Sequence, residues 1–161
     1  MTNPGTPNLS ALPRNEQLFL GGSLLSLICT FLPFDGISVL GHSASENAWH
    51  GIGVLASLLV LVVFLVALAG TFAKASIPDL PVSLNFIGAG GMALAVLFFL
   101  IRWLTLGSVL TVKIHLHWGG YVTLIVTILT TLVGVMRMRE AGEAMPWENT
   151  GGATPPAPPA A

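Results

Sequence analysis

Residues 49–73 read WHGIGVLASLLVLVVFLVALAGTFA, a stretch without Asp, Glu, Lys or Arg. At 1.5 Å per helical residue it is long enough to cross the roughly 30 Å hydrocarbon core of a bilayer. A helix on the surface of a soluble domain would need a polar face, and this stretch has none. The rest of the chain is built the same way. Of 161 residues, 53% are hydrophobic and 8% charged, with a mean hydropathy of +0.83, whereas an ordinary soluble domain is about 25% charged. Too little charge remains to cover a water-facing surface. The fold class that follows is an all-α membrane protein, because lipid offers the backbone no hydrogen-bond partner and a helix supplies its own.

Three further apolar stretches are long enough to span, at about Gln17–Phe34, Val82–Leu104 and Trp118–Met136. Breakers separate them: Pro33-Phe34-Asp35-Gly36, Pro78-Asp79-Leu80-Pro81 and Gly107-Ser108. The expectation is a four-helix transmembrane bundle over residues 17–140. It is flanked by an N-terminal segment, 1–16, and a Pro/Ala-rich tail, 141–161, whose compositions predict disorder. The first span is expected to be retained, because no small-x-small cleavage site follows it. With four spans both termini share one side. That side carries Arg14, Lys74, Arg137 and Arg139, against Arg102 and Lys113 on the other. The excess of cations predicts a multi-pass plasma-membrane protein with both termini in the cytoplasm.

An offset of 69 residues aligns the two halves without gaps. It carries Gly21, Gly22 and Leu25 onto Gly90, Gly91 and Leu94, and Trp49, Gly51 and Leu55 onto Trp118, Gly120 and Leu124. Two repeated helical hairpins of like orientation would produce this pattern. Gly22 and Ser26, and their equivalents Gly91 and Ala95, are four apart, as are Thr123 and Thr127. Each pair makes a small-residue face on which another helix can approach closely. These faces are expected inside the bundle, with Leu58–Leu68 and Val96–Ile101 turned largely to lipid. Trp49, Trp103, Trp118 and Tyr121 read as interface anchors.

The charges exclude several tasks. Six Lys+Arg against seven Asp+Glu provide no basic patch for nucleic acid. A single cysteine, Cys29, excludes disulfide-exchange chemistry within the chain. No Asp, Glu, Lys or His lies mid-span, which counts against proton relays and ion-coupled transport. Arg102, near the outer end of its span, is expected to snorkel to the headgroups. No nucleophile–base set can be read from the spacing, so the chain is expected not to be an enzyme.

All four histidines fall in or beside the two outer loops. Residues 111–117 alternate strictly, which is a strand pattern placing Lys113, His115 and His117 on one face. Ile37–Leu40 also has strand character, so a small extracellular β-ribbon is expected. His115 and His117, joined by His42 and His50, are the candidate ligands for zinc or copper. His50 and His117 are also a candidate pair for haem. The simpler reading, which the spacing favours, is four amphipathic side chains at an interface and no cofactor.

Phe31-Leu32-Pro33-Phe34 closes the first span and Asn47-Ala48-Trp49 opens the second. Gly119-Gly120-Tyr121 opens the fourth, and Arg137-x-Arg139-Glu140 closes it. Over residues 17–140 this arrangement resembles uncharacterised small four-pass integral membrane proteins of actinobacteria, which often carry L-P-W where this chain has Leu32-Pro33-Phe34. The resemblance implies a four-helix fold in a bacterial plasma membrane, and no activity or site. The sequence therefore leads to a non-enzymatic structural or accessory protein. Its expected partners are the lipid bilayer and either another membrane protein or a second copy. A metal-binding or metal-sensing outer face and a holin-like pore lined by the threonine stripe are the alternatives.

Overall fold

The structure, a computed structural model, describes residues 12–39, 42–72, 82–106, 108–109 and 112–143. Four helices form the body: α1 (Arg14–Cys29), α2 (Gly53–Phe72), α3 (Leu84–Thr105) and α4 (Trp118–Glu140). Of these, α2, α3 and α4 are long and apolar enough to cross a membrane. α1 has 16 residues, about 24 Å of helix. Two tight turns lengthen it, with Phe31 N donating to Ile28 O and Leu32 N to Cys29 O. It takes in residues 14–16, which the sequence placed in the N-terminal segment. It stops short of Phe34, because Pro33 and Phe34 already belong to a strand. The helices close a ring in which each packs on the next and α4 returns to α1. Residues 1–11, the connection 73–81 with Lys74, and the tail from 144 lie outside the described residues.

The described strands are β1 (Pro33–Val39), β2 (His42–Asn47), β3 (Ser108–Val109) and β4 (Val112–Leu116), in the spatial order β2-β1-β4-β3. All pairs are antiparallel, with Gly36 opposite both Ser45 and His115. The alternating stretch 111–117 and the strand-like Ile37–Leu40 thus contribute to the central pair, β4 and β1, and each gains a hairpin partner that the sequence did not announce. The sheet caps the end of the bundle where α1 and α3 finish.

A belt of large apolar side chains is exposed around the helices: Leu24, Leu25 and Ile28 on α1, Leu55, Leu58, Val62 and Leu65 on α2, Leu94 and Leu97 on α3, and Ile125, Leu129 and Leu132 on α4. Water would penalise such a surface and hydrocarbon would not. Leu58–Leu68 and Val96–Ile101 are not uniformly outward, however. Val60, Val63 and Phe99 point inward and are fully covered. An all-apolar run carries no periodicity to show which face packs.

Inside the ring, Phe19, Val60, Val63, Met92 and Phe99 fill the space, and Ser23, Ser26, Ser57, Thr123 and Thr127 are as deeply buried. Each of these hydroxyls except Ser57's bonds within or between helices in a short reach: Ser23 donates to Leu20 O, Thr127 to Thr123 O, and Ser26 meets Thr130 at 3.3 Å. Thr123 Oγ1 lies 2.9 Å from Cys29 O and 2.7 Å from Gly119 O, so one hydroxyl joins α4 to α1. Ser57 Oγ donates to Ala48 O. Bonded in this way, the hydroxyls need no water.

The two glycine pairs divide their work identically. Gly22 faces Thr130 of α4, where an added Cβ would come 2.6 Å from Oγ1, and Gly91 faces Val63 of α2, with 2.5 Å to Cγ2. Gly21 and Gly90 face outward with nothing within 4 Å. Ala95, the counterpart of Ser26, is fully buried.

Candidate functional site

The densest polar arrangement among the described residues lies where sheet and bundle meet, and it centres on Arg102 in the last turn of α3. Its Nη2 donates to Asp35 Oδ2 at 2.8 Å and Oδ1 at 3.0 Å, and Nε reaches Oδ2 at 3.3 Å. Its remaining donors reach the carbonyls of Asn47, Ala48 and His50 in the turn that leads into α2. The guanidinium also lies over the Phe34 ring, 5.0 Å from its centroid. The side chains of Arg102 and Asp35 are 6% and 11% exposed. The snorkelling expected from the sequence is therefore corrected. Arg102 turns inward, because a carboxylate and three carbonyls satisfy its fork there.

This one side chain ties α3 to β1 and to the β2–α2 turn. Gly53 makes room for it, since any Cβ there would overlap Arg102 Nη1 and Ala48 O. A trace of this arrangement is visible in the sequence. In a chain with so few charges, Asp35 just past the first apolar stretch and Arg102 just before the end of the third stand at the same depth.

The sheet has two unlike faces. Asp35 and Leu116 are buried on the bundle side, where Asp35, Ile37, Ala44, Glu46 and Ile114 line a recess of about 210 Å³. On the other face Gly36 floors a smaller cleft of about 90 Å³, walled by Ser43 and Ser45 on one side and by His115 and His117 on the other.

His115 and His117 are thus brought to one cleft. His115 is exposed, and His117 is half-buried with its Nδ1 enclosed and unbonded. His50 stands apart, its Nδ1 3.1 Å from Asn47 Oδ1. Contacts from His50 toward His117 pass through Arg102 and Phe34, whose carbonyl accepts from His117 N. The side chains of His42 and Lys113 lie outside the described residues, although their backbones sit in β2 and β4. Among the described residues no three His, Cys, Asp or Glu side chains converge on a point that could hold an ion.

Of the aromatic anchors, Trp103, Trp118 and Tyr121 are exposed at the sheet end. Trp49 is only partly so. It stacks on Phe31 at 5.5 Å and donates from Nε1 to Thr30 Oγ1.

No family model, curated protein or solved structure matches this chain. The structure supplies reasons for two of the short motifs in the sequence. Gly119 and Gly120 lie where β1 crosses the first turn of α4, with Cβ positions 2.5 Å from Pro33 O and Phe34 O. Asn47 opens the turn that holds Arg102, through its carbonyl and through Oδ1, which accepts from Trp49 N.

Proposed function

We propose that this chain is a four-pass plasma-membrane protein with both termini cytoplasmic. It acts as a non-enzymatic structural or accessory component through helix contacts with a membrane partner or a second copy. One observation carries the reading: among the described residues the serine and threonine hydroxyls buried between the helices are bonded within the chain, which leaves the lipid-facing helices and the cap as the surfaces for work. The repeated division of the glycine pairs supports an origin in two duplicated hairpins. The threonine stripe on α4 faces α1 and lines no lumen in the single chain, which favours this reading over a pore.

Two experiments test it. In a Cys29→Ser background, a single cysteine at Ser43 should react with an impermeant maleimide added to intact cells, and one at Ser76 should react only after lysis. Labelling of position 76 from outside sinks the topology. Separately, a photo-crosslinking residue placed at Leu25, Leu94 or Leu129 in native membranes should give one protein adduct of defined mass from at least one face. Adducts with lipid alone at every position would end the accessory reading, and rapid depolarisation on expression would favour the pore.

A further inference from the structure

The end of the bundle opposite the sheet contains a recess of about 390 Å³ walled by residues from all four helices. That volume is in the range of small-ligand sites. Arg137 is the one cation among the described residues on its wall. The Arg137 guanidinium lies 5.5 Å from the centroid of Phe19, and its side chain is 13% exposed. It reaches a single carboxylate, Glu16 Oε1, at 3.5 Å, and its Nε has no partner. Much of its donor capacity is unspent.

Among the described residues, the carboxylates of Glu140 and Glu143 are met by neutral groups only. Asn15 Nδ2 donates to Glu140 at 2.5 Å, and Ser83 Oγ and Asn85 Nδ2 donate to Glu143 at 2.5 and 2.9 Å. Among the described residues, the recess therefore offers two carboxylates met by neutral donors beside an arginine that has donors to spare after reaching Glu16. The N-termini of α1 and α3 open at the same end. The recess lies where the exposed apolar belt stops, beyond Leu18, Phe86 and Met136, which is headgroup depth for helices of this length.

We propose that this recess binds a zwitterion that pairs a primary ammonium with a phosphate. Glu140 and Glu143 take the ammonium, and the fork of Arg137 takes the phosphate. Phosphatidylethanolamine in the bilayer and free phosphoethanolamine in water share this chemistry. Phosphatidylglycerol lacks the cation, and a choline headgroup has no N–H to give to the carboxylates. The inference rests on the membrane reading above and is independent of the partner reading, which the crosslinking tests separately.

The experiment is native mass spectrometry of the full chain with phosphatidylethanolamine, phosphatidylglycerol and phosphatidylcholine of matched acyl chains. Phosphoethanolamine binding is followed in parallel by calorimetry. Phosphatidylethanolamine should be retained about tenfold better than either competitor, the scale of one charge-assisted contact. Glu140→Gln, whose amide oxygen still accepts from Asn15, should remove most of that preference without moving the unfolding midpoint. If the midpoint does move, Arg137→Lys, which keeps the charge and loses the fork, becomes the deciding variant and should weaken retention several-fold. Binding of free phosphoethanolamine alone, with the same dependence on these residues, supports the chemistry and assigns a soluble source. Equal retention of phosphatidylethanolamine and phosphatidylglycerol, indifference to the deciding variant, or no binding of lipid or free headgroup overturns the proposal.

Discussion

Arg102→Gln is expected to lower the unfolding free energy by about 3–5 kcal/mol, the usual consequence of removing one member of a buried ion pair. The change strands the Asp35 carboxylate, buried inside the joint between sheet and bundle. It also takes donors from the carbonyls of Asn47, Ala48 and His50. Against a typical total of about 5–15 kcal/mol, this is a large fraction. Asp35→Asn should cost a comparable amount, because it leaves the guanidinium facing carbonyls without a counter-charge.

The double change Asp35→Asn/Arg102→Leu should recover part of the loss, since no charge then remains buried. The recovery stays incomplete because the three carbonyls still lack their donor. Denaturant or thermal unfolding of the purified protein in one detergent, followed by circular dichroism, measures all three. A loss below about 1 kcal/mol for Arg102→Gln would mean an exposed pair, and would return Arg102 to the headgroup position that the sequence suggested.

That position was a reasonable expectation, and its failure shows where sequence reading stops. A lone arginine one turn from the end of an apolar stretch has a low-cost route to water. Only a partner brought by the fold makes the inward route better, and Asp35 is 67 residues away. Three of the helices were legible because crossing a membrane imposes length and composition on each segment separately, and α2, α3 and α4 meet both requirements. The central strand pair was legible because alternation is local. β2 was not: its His-Ser-Ala-Ser-Glu-Asn has neither alternation nor strand-forming residues, and its pairing is imposed by the hairpin with β1.

The facing of α2 was equally hidden, as Leu, Val and Ala serve both lipid and core. Small residues gave better guidance. Gly22, Ser26, Gly91 and Thr123 meet atoms of another helix, and Ala95 and Thr127 are buried, since small side chains in a chain of leucines mark places where something must come close. For the histidines, the spacing put His115 and His117 on one face, but no local pattern could place His50 beside Asn47 instead of beside them.

The glycines of α4 permit the other large prediction. β1 runs across the first turn of α4 and cannot withdraw. Phe34 O accepts from His117 N at 2.8 Å, Ala48 N donates to Thr30 O just upstream of the strand, and Asp35 is held by Arg102. A methyl group on Gly120 would sit 2.5 Å from Phe34 O and 2.6 Å from Leu116 Cδ1. On Gly119 it would sit 2.5 Å from Pro33 O and 2.7 Å from Leu32 Cβ. At each site the nearest obstructing atom is a backbone carbonyl oxygen, so a rotamer change alone cannot relieve the strain. Gly119→Ala and Gly120→Ala should each destabilise by about 1–3 kcal/mol, and Gly120→Val by more.

Gly21→Ala and Gly90→Ala, with open space at both sites, should instead stabilise slightly, by about 0.5–1 kcal/mol from helix propensity alone. Gly22→Ala and Gly91→Ala should fall between these limits, because the atoms they meet, Thr130 Oγ1 and Val63 Cγ2, belong to side chains and not to backbone. The order is measured by the same unfolding assay. It separates a tight α4–β1 crossing from a general intolerance of bulk in transmembrane helices, which would penalise Gly21 and Gly90 as heavily as Gly119 and Gly120. Because the crossing and the Arg102–Asp35 pair clamp the same strand, Gly120→Ala in an Arg102→Gln background should cost less than it does alone, as a released β1 can move away from the added methyl.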